Sequence, residues 1–165
     1  MKNNMQQIEN FLTKEQHNKI LEITTSDYFS WYYGNSVIRT DVNKDDFMFS
    51  HVFYTDDKIN SDYYNDCILP IMNKLSHKQI IRAKANCYTK REKQFKHGFH
   101  IDNEEPHIVA LYCINDNNGY TEFENGKIYN SIANSLIIFN GNIQHRSVNQ
   151  TDTKQRLNIN INYIQ

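Results

Sequence analysis

Three residues in the second half of the chain have the types and spacing of a metal site. His100 and Asp102 are two residues apart, so on an extended chain their side chains point to the same side and can share one cation. A third ligand can come from His145, which follows the apolar segment 136–139. Two histidines and one carboxylate on one face of Fe(II) leave other coordination positions open. Oxygen chemistry needs such open positions, because O₂ and a second reactant both bind the metal.

A histidine and an aspartate two residues apart are a weak signal by themselves, because short motifs often match by chance. The alternative interpretation is a solvated histidine beside a loop aspartate. The wider pattern is more specific, since the pair is followed by predicted strands, by His145 and then by Arg156 at the start of a further strand. We therefore interpret His100, Asp102 and His145 as the metal ligands and the catalytic centre.

The last predicted strand, residues 156–163, has two different faces, because side chains alternate along a strand. One face is polar and consists of Arg156, Asn158, Asn160 and Asn162. The other face is apolar and is a core face. A polar strand face either meets water outside or lines a wet pocket inside. The position of Arg156 shortly after His145 favours the pocket.

Two helices are predicted before residue 80. Thr13 lies three residues before Gln16, which is the capping-box spacing, and predicts the start of the first helix. Apolar residues at helical spacing predict a second helix from about Asp62 to Leu75, and Pro70 predicts a kink or a break within it. The aromatic-rich segment between these helices favours strands and loops.

After Ile80 the pattern predicts strands to the end of the chain, several of them separated by turns that contain glycine. The predicted strands are 80–88, 107–114, 120–123, 127–129, 136–139 and 156–163. Helices followed by many short strands predict an α+β protein built on an antiparallel barrel or sandwich.

From Ala85 to Tyr163 the sequence resembles the 2-oxoglutarate/Fe(II) dioxygenases of the prolyl-4-hydroxylase type. The matching stretches are 86–88, 98–102, 109–115, 118–123, 135–139, 145–146 and 156–163. The N-N-G-Y-T turn and the R-L-N-I-N-I-N-Y ending especially resemble small oxygenase-like proteins encoded by marine bacteriophages. The resemblance implies one domain, residues 1–165, with a double-stranded β-helix (jelly roll) core over 80–165. Helices and supporting strands over 1–79 would flank this core.

The resemblance also implies roles for individual residues. His100, Asp102 and His145 would bind Fe(II), and Arg156 would pair with the far carboxylate of 2-oxoglutarate. The physical logic agrees, because the near end of this cosubstrate chelates iron and its far carboxylate then points into the barrel. An arginine can hold that carboxylate through two charge-assisted hydrogen bonds.

Further contacts to 2-oxoglutarate are expected along the same strand faces. Tyr88 matches a tyrosine that lines this pocket in prolyl hydroxylases, although ordinary strand packing explains it equally well. Asn86 shares the strand face of Tyr88, and Asn158 shares the face of Arg156. We assign Arg156, Tyr88, Asn86 and Asn158 to cosubstrate binding.

One position departs from the family pattern. Prolyl hydroxylases often carry a second tyrosine on the strand after H-x-D, and the alignment places Cys113 there with Tyr112 adjacent. A slip of one residue would exchange the faces of these two side chains. Asn86, Tyr88, Asn158 or Asn160 are therefore the alternatives for the missing contact.

The implied reaction is hydroxylation of a C–H bond coupled to oxidative decarboxylation of 2-oxoglutarate. The implied cofactors are Fe(II), 2-oxoglutarate and O₂, with ascorbate as a further candidate. Peptidyl proline is the best-resembled substrate, and a free amino acid, a nucleotide or another small molecule is the alternative. A hypothesis from another class is a non-catalytic jelly-roll binding module, which would have no need of three metal ligands and Arg156 together.

Composition limits the other function classes. The net charge of −1 provides no global field that would attract nucleic acid or an acidic membrane. The three cysteines form no C-x-x-C pair, which argues against a disulfide framework or a thiolate zinc site. The polar start of the chain lacks the apolar core of a signal peptide, and no apolar run approaches a membrane span. We expect a soluble cytoplasmic protein, in the host cytoplasm if it is phage-encoded.

Other charged and titratable residues have less specific explanations. His51, His97 and His107 are predicted to be surface or packed residues, although His97 is close enough to His100 in sequence to touch substrate. Five cations precede His100 at positions 84, 90, 91, 93 and 96. A solvated loop is the favoured interpretation of these cations, and a basic rim that attracts an anionic substrate is the alternative.

Overall fold

The computed structural model describes residues 5–37 and 46–165, which form two antiparallel β-sheets and three helices. In chain order the elements are β1 (Gln6–Ile8), α1 (Lys14–Thr25), β2 (Tyr32–Gly34), β3 (Met48–Thr55), β4 (Lys58–Ile59), α2 (Tyr64–Cys67), α3 (Leu69–Met72), β5 (Gln79–Thr89), β6 (Ile108–Cys113), β7 (Asn117–Phe123), β8 (Ile128–Ser131), β9 (Ser135–Asn140), β10 (His145–Val148) and β11 (Gln155–Ile164). No helix of this part of the chain is long and apolar enough to cross a membrane.

The larger sheet has the strand order β1-β9-β6-β11-β5-β3-β2, with β4 paired to β3, and the smaller sheet has the order β10-β7-β8. The strand β11 lies near the middle of the larger sheet, hydrogen-bonded to β5 on one side and to β6 on the other. Long antiparallel strands in two sheets that pack together are typical of a jelly roll. All six strands predicted after Ile80 are confirmed as β5, β6, β7, β8, β9 and β11.

The larger sheet packs apolar side chains on both of its faces. Its outer face carries Ile159 and Ile161 of β11 and joins the helices in one core cluster, which includes Ile20 of α1 and Ile71 of α3. Its inner face meets the smaller sheet in a second cluster: Val109, Leu111, Cys113, Phe123, Ile137 and Phe139. The polar face of β11 lies on this inner side, where water is largely excluded.

The structure confirms the first predicted helix and divides the second into two short helices. The helix α1 begins after Thr13, whose side chain accepts a hydrogen bond from the backbone of Gln16, so the predicted capping box is confirmed. The second helix is broken into α2 and α3, and the break lies at Ile68. Pro70 falls in the first turn of α3. Proline lacks an N–H and clashes with the carbonyl four residues earlier, so one continuous helix cannot form.

Two short strands were not predicted from the sequence. The strand β1 has three residues and pairs with β9 at the edge of the larger sheet, and β10 has four residues and pairs with β7. Neither segment has enough residues for a hydrophobic period to be recognised. Their pairing partners are distant in the chain, so tertiary structure decides both strands.

The Thr13 cap provides a test of this fold that leaves the metal cluster untouched. Thr13→Ala removes the acceptor for the Gln16 backbone N–H and should lower the free energy of unfolding by about 0.5–2 kcal/mol. Chemical denaturation measures the change. Thr25→Ala is the control, because the Thr25 hydroxyl bonds to the Leu21 carbonyl within the helix, and its effect should stay within about 0.5 kcal/mol. Equal losses in both variants would contradict the capping role.

Candidate metal centre

His100 and His145 are locked against each other by their backbones. The N–H of each residue donates to the carbonyl of the other, at 3.0 Å in both directions, and the ring centroids are 4.7 Å apart. The His100 Nδ1 lies 3.3 Å from the Gly98 carbonyl and the His145 Nδ1 lies 3.1 Å from the Ile143 carbonyl. A carbonyl oxygen only accepts, so each Nδ1 carries the proton. The lone pair of each Nε2 is thereby left for a metal.

Asp102 completes the cluster. Its Oδ2 lies 4.0 Å from His145 Nε2, and one possible ligand atom from each of His100, Asp102 and His145 lies within 4.8 Å of the others. The structure therefore brings together all three residues that the sequence predicts as ligands. Their donor set of two imidazoles and one carboxylate suits Fe(II).

The charge state of the cluster also suits a metal. Burial lowers the pKa of His145 to about 4, with Asp102 opposing this shift, so the imidazole is neutral near pH 7. Burial by itself would raise the pKa of Asp102. The neighbouring His145, the Arg82 guanidinium and a hydrogen bond from Asn160 outweigh it and hold this pKa well below its ordinary value. The cluster therefore presents a neutral His145 imidazole and an ionised Asp102 carboxylate, which are the metal-binding forms of these groups.

Three side chains surround the Asp102 carboxylate. The Nη2 of Arg82 donates to Oδ1 at 3.2 Å, and the side-chain amides of Asn160 and Asn162 donate to Oδ2 at 3.0 and 3.2 Å. The sequence pattern placed both asparagines on the polar face of β11, with Asn160 as one alternative contact to 2-oxoglutarate and no role for Asn162. It gave no role to Arg82, which precedes the region of closest resemblance.

Arg156 lies on the same inner face and is buried, with 1% of its surface exposed. Its Nε donates to Ser131 Oγ at 2.7 Å, its Nη2 donates to Thr121 Oγ1 at 3.3 Å, and its Nη1 donates to Ser147 Oγ. The guanidinium carbon lies 5.2 Å from the ring centroid of Tyr88. Within the part of the chain that the structure describes, no carboxylate forms an ion pair with Arg156.

A buried guanidinium with hydroxyl partners alone remains short of a counter-charge. Burial lowers the pKa of Arg156, yet arginine stays protonated in proteins. Isolating such a charge from water is costly unless an anion compensates it. The pocket around Arg156 therefore has the chemistry of an anion site. None of its three hydroxyl residues was predicted, because single serines and threonines give no distinctive sequence signal.

The residues predicted to bind cosubstrate lie in register on adjacent strands. Tyr88 pairs across the strands with Arg156, and Asn86 pairs with Asn158. The Asn86 amide donates to Asn158 Oδ1 at 2.8 Å. Asn158 is the middle of the three positions from Arg156 to Asn160, and each step of two residues covers about 7 Å. These side chains therefore occupy the stretch of the inner face between the anion site and the metal cluster.

Tyr88 is buried, and its hydroxyl hydrogen-bonds to Ser147, which also contacts Arg156. Burial raises the pKa of the Tyr88 hydroxyl, so the phenol is neutral near pH 7. Packing alone does not account for this residue, because its ring and its hydroxyl both lie against the arginine site.

The register of β6 resolves which of two neighbours faces the pocket. Cys113 pairs with Asn158 and belongs to the inner apolar cluster, whereas Tyr112 belongs to the outer core. The Tyr112 hydroxyl donates to Asn134 Oδ1 at 3.0 Å, on the outer side of the sheet. The position of the second family tyrosine is thus held by a cysteine. Of the four alternatives for the missing contact, Asn160 lies against Asp102 instead.

The three histidines that were predicted to be surface or packed residues, His51, His97 and His107, are all buried. His97 is buried, with its Nδ1 2.7 Å from Asp46 Oδ1 and its Nε2 2.6 Å from Asn149 Oδ1. The Nδ1 of His107 donates to the Glu105 carbonyl at 2.7 Å. His51 likewise bonds to Ser30 and Ser61.

The predicted cationic rim is spread over a long stretch of the structure. Lys90 follows the end of β5, eight residues or about 26 Å of extended strand beyond Arg82, which contacts Asp102. Residues 90–95 line a shallow groove with Phe47, and Lys96 pairs with Glu122 at 3.0 Å. β5 therefore carries Lys90 away from the cluster, whereas Lys96 lies four residues before His100 and shares Glu122 with Arg146, the neighbour of His145. Lys84 is on the inner face nearer to the cluster. The rim hypothesis stays a prediction.

No protein-family model matches the sequence, and no curated protein matches it. Solved structures match in fold. A prolyl hydroxylase from Trichoplax adhaerens, in complex with a hypoxia inducible factor oxygen degradation domain peptide fragment, has a TM-score of 0.68 and 16% identity over 99% of this chain and 84% of that chain. A Pseudomonas putida prolyl-4-hydroxylase has a TM-score of 0.64 and 12% identity over 99% and 94%.

A third match is a 2OG-Fe(II) oxygenase family oxidoreductase from Burkholderia pseudomallei, with a TM-score of 0.67 and 9% identity over 97% of this chain and 85% of that chain. At these identities the likeness shows a shared fold alone. It confirms the predicted jelly-roll-like arrangement of antiparallel sheets.

Gly119 provides a test of the anion site. A Cβ at this position would lie 2.8 Å from Arg156 Cδ and 2.8 Å from the Val148 carbonyl, so Gly119→Ala must displace the arginine or the backbone. Overpacking of this kind should lower the free energy of unfolding by about 1–3 kcal/mol, measured by denaturation. Gly34→Ala is the control, because its Cβ would meet its nearest neighbour at an ordinary 3.5 Å. A neutral Gly119→Ala would show that Arg156 is not closely packed.

Proposed function

We propose that this chain is a non-haem Fe(II) oxygenase that couples decarboxylation of 2-oxoglutarate to hydroxylation of a C–H bond. Residues 1–165 would form one such domain. The observation that carries the proposal is the buried Arg156, which lacks an acidic partner among the described residues and shares an inner sheet face with the cluster of His100, Asp102 and His145. A cation site and an anion site on one face match a dicarboxylate that bridges them.

The residues fit the two groups that this function requires. The histidine Nε2 atoms and Asp102 Oδ2 would hold Fe(II), and Arg156 would receive the far carboxylate of 2-oxoglutarate. Tyr88 would close the pocket beside that carboxylate. Together the bound iron and 2-oxoglutarate supply the activation of O₂ that hydroxylates carbon, with succinate and CO₂ as coproducts. Ascorbate is a further candidate cofactor.

The peptidyl substrate is supported by the fold comparison. Two of the similar structures are described as prolyl hydroxylases, and one of these contains a peptide fragment. We propose peptidyl proline as the substrate on this ground. The pairing of Arg82 with Asp102 favours a second candidate, because the Arg82 side chain is 31% exposed and leaves a cation at the edge of the metal cluster. A small anionic molecule, such as a free amino acid or a nucleotide, would suit that position.

The experiment for the reaction is succinate formation from 2-oxoglutarate in the presence of Fe(II) and O₂. His100→Ala and His145→Ala should each reduce iron-dependent turnover to background, because two remaining ligands hold Fe(II) poorly. His77→Ala is the matched control, since His77 is exposed and bonds to the Leu75 carbonyl. Wild-type rates in both ligand variants would contradict the metal assignment. Iron and 2-oxoglutarate binding without any turnover would favour the non-catalytic binding module.

The cosubstrate assignment has its own test. Arg156→Ala should raise the KM for 2-oxoglutarate by the equivalent of about 2–5 kcal/mol, because a buried charge-assisted pair is lost, while Fe(II) binding persists. Lys154→Ala is the matched control, because Lys154 is exposed and precedes β11. If the Lys154 variant weakens 2-oxoglutarate binding and the Arg156 variant does not, Arg156 is not the anchor.

The substrate class is tested by a screen that compares proline-containing peptides with free amino acids and nucleotides. Hydroxylation adds one oxygen atom to the substrate, so mass spectrometry identifies the product directly. A proline-containing peptide that gains one oxygen supports the first candidate. Products confined to small anions support the second candidate and exclude the first.

A further inference from the structure

We infer that Asn160, Asn162 and Arg82 are positioning residues that fix the Asp102 carboxylate with its Oδ2 directed toward the two histidines. The inference rests on the metal site of the proposed function and adds to it the side chains that determine how its third ligand is presented. None of these three residues would itself bind the metal.

The three ligands are held in different ways. His100 and His145 are fixed by reciprocal backbone hydrogen bonds, and each ring is oriented by a carbonyl. Asp102 lies outside every strand and helix, and among residues 5–37 and 46–165 no hydrogen bond to its backbone N–H or carbonyl is found. An aspartate side chain has two torsions about which it can rotate. Its orientation therefore depends on what its oxygens contact.

The two oxygens are contacted from two different strands. Asn160 and Asn162 of β11 donate to Oδ2 at 3.0 and 3.2 Å, whereas Arg82 of β5 donates to Oδ1 at 3.2 Å. The Asn162 amide also donates to Asn160 Oδ1 at 3.2 Å, so the two asparagines brace each other. These contacts distinguish one oxygen from the other and hold Oδ2 on the side of His145, 4.0 Å from its Nε2.

Strand geometry explains why these residues converge on one carboxylate. Asn160 and Asn162 are two positions apart and share a face, and Arg82 pairs with Asn162 across the β5–β11 ladder. Asn160 and Asn162 are 7% and 2% exposed, so water competes little for their amides. A carboxylate that is already oriented loses less rotational freedom when it binds a metal. The measurable consequence is tighter metal binding.

The experiment measures metal affinity without turnover. Mn(II) binding to the double variant Asn160→Ala, Asn162→Ala should be weaker than wild type by roughly 10- to 100-fold, as is typical when partners of metal ligands are removed. Titration followed by electron paramagnetic resonance of free Mn(II) gives the Kd. The Co(II) absorption spectrum of the same variant should also change, because the carboxylate no longer holds one orientation.

A control separates positioning from general loss of stability. Asn134→Ala removes another buried asparagine, which bonds to Leu12 and Tyr112 on the outer side of the sheet. It should lower the Tm and leave the Mn(II) Kd unchanged. Arg82→Met should alter the Co(II) spectrum, and Arg82→Lys, which keeps a cationic donor, should preserve it.

The outcomes distinguish this inference from the proposed function. If the wild-type protein binds neither Mn(II) nor Fe(II), the proposed function fails. If the wild-type protein binds Mn(II) and the double asparagine variant binds it within twofold, the positioning inference is overturned and the metal site stands. An equal loss of affinity in Asn134→Ala also overturns the inference, because the effect would then follow stability. An unchanged Co(II) spectrum in Arg82→Met removes Arg82 from the set.

Discussion

The guanidinium of Arg156 is buried between two sheets, and the surrounding protein offers it hydroxyl groups and an aromatic ring in place of water. Such an arrangement is stable only if other interactions lower the free energy of the folded state enough to offset the desolvation of the charge. The two apolar clusters that enclose the larger sheet provide these interactions, because they bury the alternate positions of the same strands. The uncompensated charge lies on the same inner face of the larger sheet as the asparagines that contact Asp102.

The strand β11 connects the two ends of this face. Its apolar side chains anchor it to the helices, and its polar side chains run from Arg156 through Asn158 to the residues that contact Asp102. A single antiparallel strand therefore fixes the spacing between the anion site and the metal cluster, in steps of about 7 Å per two residues. A change of register by one residue would exchange its two faces and abolish both sites together.

The metal cluster combines backbone rigidity with side-chain adjustment. The two histidines lie on segments that hydrogen-bond to each other, so their relative position is set by the chain itself. The aspartate comes from an irregular segment, and its position is set by side chains from β5 and β11. The two imidazoles would therefore keep a fixed relative position, whereas the orientation of the Asp102 carboxylate would depend on the side chains that contact it. The neutral His145 imidazole and the ionised Asp102 carboxylate then follow from burial and from the nearby guanidinium of Arg82.

The sequence by itself determined the elements with a long, regular pattern. The capping box of α1, the strands after Ile80 and the two-faced pattern of β11 are local, because they depend on residues that are near in the chain. Residue types and spacing indicated the three ligands as candidates, and the resemblance added the role of Arg156. Tertiary structure alone decided that Cys113 and not Tyr112 faces the pocket, that Lys90 lies far from the metal, and that Arg82 contacts Asp102. These outcomes depend on strand register and on contacts between distant segments, and a local pattern of side chains carries no information about either.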